Sequence, residues 1–127
     1  MTANADPPSL ETLTALRDAL RRFAAERDWD QFHAPKNLSM AMIVEAAEVV
    51  EHFQWLTDEQ SAALPPATRA EVGAELADVL FYLVRLADRL DIDLAAAART
   101  KIAVNEAKYP AARVRGSARS YRDYDPD

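Results

Sequence analysis

Two pairs of acidic residues share the same short spacing in two separate segments of the chain. Glu45 and Glu48 form one pair, and Glu75 and Asp78 form the other. Side chains three positions apart on a helix project from the same side, and both segments are so apolar that we expect buried helices. Four buried carboxylates without partners cost much free energy, so either their pKa values rise or a cation lies between them. The pattern predicts a site for a hard cation with oxygen ligands, Mg²⁺ or alternatively Mn²⁺.

Other interpretations of these acids are less suited to the pattern. A single Glu-x-x-Glu pair is more often a solvated surface pair, but two pairs in apolar segments with no basic residue between their members are unusual. A ferritin-like di-iron bundle needs a His three residues after a Glu, and neither His33 nor His52 follows a Glu at that spacing. We interpret both histidines as structural or substrate-contacting, and His33 as a substrate-binding candidate.

The sequence also contains aromatic and polar residues that could bind a nucleotide next to the acidic pairs. Carboxylate-bound Mg²⁺ keeps positions for water and phosphate oxygens, and basic side chains neutralise the remaining phosphate charge. An aromatic ring can stack on a base, and the candidates are Trp29 in a polar loop with Trp55 and Tyr82 near the acids. Ordinary core packing is an equal interpretation for Trp55 and Tyr82. Lys101 and Asn105 share one face of a later helical segment.

Proline residues divide the chain into the segments in which helices can run, because proline disrupts helix interiors. Four helices are predicted, over 9–27, from an Asn37 cap to about Leu56, over 67–90, and over 94–108. Ser9 and Asp93 are the other predicted caps, and the capping-box spacing of Thr57 and Gln60 predicts a short helical turn. The sequence therefore predicts an all-α fold, a four-helix bundle over 9–110, with flexible or extended termini over 1–8 and 111–127.

The third predicted helix has two distinct faces. One face carries the Glu75–Asp78 pair, followed at helical spacing by Tyr82, Arg85 and Arg89. The opposite face carries apolar residues at the same spacings, which predicts a core seam. The residues of this seam are Leu76, Leu80, Leu83, Ala87 and Leu90.

The composition excludes several classes of function. A formal charge of −6, from 15 basic and 21 acidic residues, argues against a nucleic-acid polymer as partner. The absence of Cys excludes disulfides, zinc–thiolate sites and thiol nucleophiles, and two Gly residues are too few for a glycine-rich phosphate loop. No apolar run has the roughly 18 residues of a membrane span, and the first residues lack the pattern of a signal peptide. We therefore expect a cytoplasmic protein without a membrane partner.

Taken in order, these motifs resemble the all-α nucleoside triphosphate pyrophosphohydrolases, the MazG-like superfamily. The similarity covers about residues 10–120 and extends to one branch, the dCTP pyrophosphatases. The motifs that carry it are Asp28-Trp-Asp-Gln-Phe-His-Ala-Pro-Lys-Asn-Leu38, Glu45-Ala-Ala-Glu-Val-Val-Glu-His-Phe-Gln-Trp55, Glu75-Leu-Ala-Asp-Val-Leu-Phe-Tyr-Leu83 and Lys101-x-x-x-Asn105-x-x-x-Tyr109-Pro110.

The resemblance implies a role for each candidate residue. The implied Mg²⁺ ligands are Glu45, Glu48, Glu75 and Asp78, the residues that enclose the base are Trp29, Trp55 and Tyr82, and those near the phosphates are Lys101 and Asn105. It also implies a homo-oligomer, a tetramer or a dimer.

We expect the chain to convert a deoxynucleoside triphosphate, dCTP or a modified dCTP, and water to the monophosphate and pyrophosphate, which removes unwanted nucleotides from the pool. Glu45 is the first choice for the residue that deprotonates water, and Glu48 is the second catalytic candidate. One alternative is hydrolysis of dUTP or phosphoribosyl-ATP within the same superfamily. Another is a non-catalytic helical module that binds a nucleotide or a partner helix.

Overall fold

The computed structural model describes residues 10–123 of the chain, and these residues form helices joined by turns. No strand occurs within this described range. The α-helices are α1 (Leu13–Glu26), α2 (Pro35–Glu51), α3 (Asp58–Ser61), α4 (Pro66–Arg89), α5 (Leu94–Lys108) and α6 (Ala111–Val114), and 3₁₀ turns lie at Asp30–Phe32 and Tyr121–Asp123. The prediction of an all-α fold is confirmed.

Helix α1 begins later than predicted. The Thr12 side chain caps it by accepting a hydrogen bond from the Ala15 backbone N–H at 3.0 Å. The predicted cap Ser9 lies outside the described residues. After the helix ends at Glu26, Asp28 takes a left-handed conformation with a φ of 54°, and the chain turns into the loop that carries Trp29.

Helix α2 is displaced by a few residues from its predicted position. It begins at Pro35 rather than after Asn37, because proline fits the first helical position, where no intrahelical N–H is needed. The Asn37 side chain instead donates to the Phe32 carbonyl at 3.3 Å. The helix ends at Glu51, so Trp55 lies on the following turns rather than on the helix, where it was predicted.

The caps predicted for the next elements are confirmed. The Thr57 side chain accepts from the Gln60 backbone N–H at 3.2 Å, and the Gln60 side chain accepts from the Thr57 backbone N–H at 3.0 Å. This reciprocal capping box opens α3. The Asp93 side chain caps α5 by accepting from the Ala96 N–H at 3.0 Å.

The chain divides into two compact units, one ending at Ile92 and one beginning at Asp93. In the first unit, α4 is the central helix, and both α1 and α2 pack against it. The buried apolar residues of this first unit are Leu16, Ala24, Leu38, Val72, Val84 and Ala87. The second unit contains α5 and α6, whereas the sequence predicted all four long helices in one bundle. Residues 111–123 include two short helical segments, where we predicted a flexible or extended tail.

The predicted core seam of α4 is wrong for the single chain. Of its five residues only Ala87 is buried, and Leu76, Leu80, Leu83 and Leu90 are between 38% and 52% exposed. Helix α2 likewise exposes large apolar side chains, namely Met40, Ile43, Val44 and Val50, although we predicted it to be buried on all sides. Helices α1 and α2 cover only part of α4, so these apolar faces remain at the surface of the chain.

Candidate active site

The packing of α2 against α4 brings the four predicted carboxylates into one neighbourhood, called here the acid cluster (Glu45, Glu48, Glu75 and Asp78). The pKa of Glu45 is raised above its ordinary value, and each of the other three carboxylates contributes to the shift. The largest cause is a hydrogen bond with the Glu48 side chain, which requires a proton between two carboxylates. Burial follows, and then repulsion by Glu48, Asp78 and Glu75. The cluster therefore holds an excess of negative charge.

Two oxygens of the acid cluster are buried without a hydrogen bond. These atoms are Glu45 Oε2 and Glu75 Oε2. His52 Nε2 lies 2.6 Å from Glu75 Oε2, which is an ion-pair distance. This contact lacks the geometry of a hydrogen bond, so the oxygen remains without one. Buried acceptors of this kind are costly, and carboxylate oxygens are the ligands that hard cations prefer. The cluster has the right chemistry to hold such a cation.

The side chains are not arranged as a complete coordination sphere. Within residues 10–123, no group of three or more Asp, Glu or His side chains is placed so that it could hold a metal ion. Mg²⁺ commonly binds through one or two carboxylates together with waters and substrate phosphates. The acid cluster is therefore compatible with a cation that the substrate helps to hold, rather than with a closed protein cage.

A cavity of about 290 Å³ lies beside the acid cluster and shares Asp78 with it. Its walls come from α1, the 28–34 loop and α4, and they include three predicted substrate-binding residues, Trp29, His33 and Tyr82. The remaining lining residues are Leu20, Phe23, Ala24, Phe81 and Arg85. Aromatic walls with a few polar groups are typical of a site for a flat ligand.

The loop that carries Trp29 is fixed by local contacts. The Trp29 backbone N–H donates to the Ala24 carbonyl at 2.9 Å. The Trp29 ring meets the Phe23 ring edge to face, with centroids 5.6 Å apart, and lies 6.5 Å from the His33 ring. The Arg27 guanidinium covers Phe23 at 3.6 Å from the ring centroid. These contacts place Trp29 at the cavity although it remains partly exposed.

Arg85 is a buried cation at the cavity wall, and only 6% of its surface is exposed. Its guanidinium forms an ion pair with Asp30 in the loop and a contact of 3.4 Å with Asp88 on α4. Its Nε donates to His33 Nδ1 at 3.1 Å. The sequence places Arg85 on the acidic face of α4, but we assigned it no role there. The position three residues after Tyr82 is the only sequence signal that points to it.

The electrostatic surroundings of His33 favour its neutral form. Burial is the largest cause of a lowered pKa, and the Arg85 charge adds to it. Asp30 opposes the shift, while Arg89 increases it. At neutral pH these surroundings favour the uncharged imidazole of His33 over the imidazolium.

Three predicted substrate residues lie elsewhere in the chain. Trp55 is 85% exposed on the turn after α2 and does not line the cavity. Lys101 and Asn105 occupy exposed positions on α5, in the second unit. Among the described residues, no helix is both long and apolar enough to cross a membrane.

Comparisons with known proteins identify the family of this chain. A sequence model described as the MazG-like family matches residues 40–124. The chain is 46% identical to "dCTP pyrophosphatase 1" of Mus musculus, in an alignment that covers 88% of this chain and 67% of the mouse protein. It is 45% identical to "dCTP pyrophosphatase 1" of Homo sapiens, with the same two coverages.

A solved structure has the same fold. The crystal structure of a pyrophosphatase from Archaeoglobus fulgidus superposes with a TM-score of 0.74 and is 36% identical in sequence. The match covers 84% of this chain and 99% of the archaeal chain. The family match and the high identity over most of the sequence lead to one conclusion: this chain belongs to the MazG-like family.

Proposed function

We propose that the protein is a nucleoside triphosphate pyrophosphohydrolase that converts dCTP, or a modified dCTP, and water to the monophosphate and pyrophosphate. The observation that carries the proposal is the position of Asp78, which belongs both to the acid cluster and to the wall of the aromatic cavity. If the base of a nucleotide occupied the cavity, the phosphates of that nucleotide would lie toward the acid cluster. Relatives named dCTP pyrophosphatase supply the choice of cytosine, and removal of unwanted nucleotides from the cytoplasmic pool is the proposed role.

A divalent cation is part of the proposed site, and members of this family are generally metal-dependent. Glu45, Glu48, Glu75 and Asp78 would hold Mg²⁺, or Mn²⁺, with Glu45 Oε2 and Glu75 Oε2 as buried oxygens that accept no hydrogen bond. When bound, the ion neutralises the charge that develops on the α-phosphate and on the pyrophosphate leaving group.

The protein's own carboxylates would handle the proton. Glu45 is the proposed general base, because it lies in the acid cluster with a buried oxygen, Oε2, that accepts no hydrogen bond. It would take a proton from the water that attacks the α-phosphorus, while the bond from that phosphorus to the bridging oxygen breaks. Glu48, three positions further along α2, would keep this carboxylate oriented.

The cavity would bind the base. Trp29 and Tyr82 provide flat surfaces for stacking, and a stacked base contributes about 1–3 kcal/mol in comparable sites. His33 supplies a polar group in the same wall. Lys101 and Asn105 keep the phosphate-binding role that the family resemblance implies for them.

A homo-oligomer, a dimer or a tetramer, completes the proposal. The exposed apolar faces of α2 and α4 are surfaces that a soluble chain normally covers with a partner. With 85% of its surface exposed, Trp55 is not enclosed by its own chain. We therefore assign Trp55 to the base site of a neighbouring subunit.

A pyrophosphate-release assay with Mg²⁺ tests the proposed function. The substrate panel is dCTP, modified dCTP, dUTP, the other nucleoside triphosphates and phosphoribosyl-ATP. We expect fastest release from a cytosine nucleotide, its loss in Glu48→Ala, and its retention in the matched control Glu51→Ala, which removes an exposed acid from the same helix. If no substrate released pyrophosphate, the proposed enzymatic activity would be refuted. A preference for dUTP or phosphoribosyl-ATP would refute the choice of cytosine as the base. Equal activity in both variants would refute the acid cluster as the site.

A further inference from the structure

Arg85 makes three contacts around one buried guanidinium. Nε donates to His33 Nδ1 at 3.1 Å, Nη1 lies 3.4 Å from Asp88 Oδ2, and Nη2 pairs with Asp30. Two of these partners belong to the loop that carries Trp29, whereas Arg85 itself lies in α4. The guanidinium therefore links the aromatic loop to the central helix.

The contact with His33 fixes the position of a proton. A guanidinium has N–H donors only and stays charged in proteins. The imidazole nitrogen that it meets must therefore be an acceptor, which excludes a proton on Nδ1. A neutral imidazole then carries its proton on Nε2. The lowered pKa of His33 agrees with this neutral form.

The Nε2–H group of His33 remains available to a ligand. The His33 ring lines the 290 Å³ cavity together with Trp29 and Tyr82. Within residues 10–123, the hydrogen bonds of His33 use its Nδ1 atom and its backbone, where Arg89 Nε donates to the His33 carbonyl at 3.2 Å. Nε2 has no hydrogen bond to the protein in that range.

We propose that Arg85 is a positioning residue that holds the proton of His33 on Nε2 and so makes this imidazole a hydrogen-bond donor toward the base. The inference rests on the proposed function only for the identity of the ligand. A donor in the cavity wall suits a base edge that presents a carbonyl oxygen or an unprotonated ring nitrogen. A base that presents an N–H at that point would leave two donors facing each other, which costs affinity.

Long-range proton–nitrogen correlation spectra of the full chain test the proton position directly, because they distinguish both neutral tautomers from the imidazolium. His33 and His52 are the two histidines of the sequence, and the spectrum of His52→Gln assigns them. We expect His33 of the native protein to carry its proton on Nε2 at neutral pH. A proton on Nδ1, or on both nitrogens, would overturn the inference without the need for any Arg85 variant.

Substitutions then test whether Arg85 is the cause. Arg85→Gln places an amide that can either donate or accept, so the His33 spectrum should become a mixture of tautomers. Arg85→Lys keeps a donor-only cation and should restore the Nε2 form. Arg89→Gln is the matched control, because it removes the contact with the His33 carbonyl but leaves Nδ1 bound to Arg85. An unchanged tautomer in Arg85→Gln would overturn the inference, and so would the same mixture in Arg89→Gln.

Kinetics connect the tautomer to substrate binding. We expect KM for the cytosine nucleotide to rise in Arg85→Gln in inverse proportion to the fraction of His33 that keeps its proton on Nε2, about twofold for an equal mixture of tautomers, with kcat nearly unchanged. Arg85→Lys should recover most of the native KM. A native KM in a variant with mixed tautomers would overturn the proposed donor role. If no nucleotide is hydrolysed while the tautomer still follows Arg85, the proposed function fails and the assignment of the proton stands.

Discussion

His52 Nε2 lies 2.6 Å from Glu75 Oε2, and this contact joins the C-terminal end of α2 to one of the two acid-cluster residues on α4. His52 is the C-cap residue of α2. An imidazole that contacts a ligating carboxylate restricts its rotation and tunes its basicity.

His52→Ala should weaken the binding of Mg²⁺, because Glu75 would lose the neighbour that orients its carboxylate. We expect the Mg²⁺ concentration for half-maximal activity to rise by at least about tenfold, as is typical when such supporting residues are removed. Initial rates at varied Mg²⁺ measure this change. Gln54→Ala, an exposed substitution on the next turn, is the control, and equal Mg²⁺ dependence in both variants would contradict the prediction.

Glu45→Gln should have opposite effects on stability without and with metal. In EDTA, the variant should have the higher Tm, because it removes a charge that the other three carboxylates repel. With Mg²⁺ at about a hundred times its Kd, the native chain gains about 2.7 kcal/mol by mass action, and the variant should gain much less. Thermal unfolding measures the Tm of each protein in EDTA and in Mg²⁺, with the exposed Glu51→Gln as control. If the native chain and Glu45→Gln had the same order of Tm in both buffers, the metal site would be refuted.

The stability of the metal-free native chain should also fall as pH rises above the ordinary range of a Glu carboxyl. The folded-state pKa of Glu45 is raised above the ordinary value of a Glu carboxyl, so the folded chain holds this proton where the unfolded chain has lost it. The resulting stabilisation is present at low pH and disappears as pH rises through the raised pKa. Unfolding in EDTA across pH should show this decline, and Glu45→Gln should reduce it.

Asp88→Asn should loosen the junction between α1 and α4. Arg21 Nε in α1 donates to Asp88 Oδ2 at 2.7 Å, and Arg85 in α4 contacts the same oxygen. The substitution should lower the free energy of unfolding by about 2 kcal/mol, because hydrogen bonds to charged groups are lost and the buried Arg85 guanidinium loses a counter-charge. Chemical denaturation measures it, with Asp91→Asn as control, since asparagine tolerates the left-handed φ of 56° at that position.

The same aspartate predicts an acid-sensitive component of stability. The Arg21 hydrogen bond holds the pKa of Asp88 below its ordinary value. Its stabilising effect is therefore present above the ordinary aspartate range and disappears as pH falls through the lower, folded-state pKa. Asp88→Asn should show a smaller loss of stability on acidification than the native chain, and an identical loss would contradict this assignment.

Trp29→Ala should weaken substrate binding. Stacking of the base contributes about 2 kcal/mol to the free energy of binding, and its loss corresponds to roughly a thirtyfold rise in KM. Phe32→Ala removes a more exposed aromatic from the same loop, one that does not line the cavity, and should leave KM near the native value. Steady-state kinetics compare the two variants, and similar KM values would place the base elsewhere.

Leu80→Lys should lower the molecular mass of the particle in solution. Leu80 is exposed on the apolar face of α4, and a charge in a buried interface without a partner is costly. Light scattering coupled to size exclusion measures the mass, with the exposed loop substitution Ala63→Lys as control. A native protein that is already monomeric would refute the proposed oligomer.

Local signals in the sequence predicted several elements well. Asp93 and the Thr57–Gln60 pair act as caps because their side chains bond to backbone groups three residues away, which sequence spacing defines. The start of α2 was less predictable, since Pro35 and Asn37 both favour a helix start and the structure uses the proline. The all-α class followed from the same patterns and is confirmed.

Long-range features could not be read from spacing. Arg85 contacts Asp30 and His33, which are more than fifty positions away, so only the packing of the loop on α4 reveals its partners. The apolar seam of α4 was recognised as a pattern, but periodicity does not say whether the same chain or another covers it. The roles predicted for the acid cluster and for Lys101 and Asn105 stay predictions.

Asp78 and Tyr82 lie four positions apart on α4, so one turn of helix separates a residue of the acid cluster from a residue of the cavity wall. Four residues of α-helix rise about 6 Å, and the backbone hydrogen bonds of that turn keep this length nearly constant. Selection among nucleotides would then depend on molecular length as well as on the base. A ligand with a longer or shorter link between base and phosphorus would fill the cavity and still fail to react.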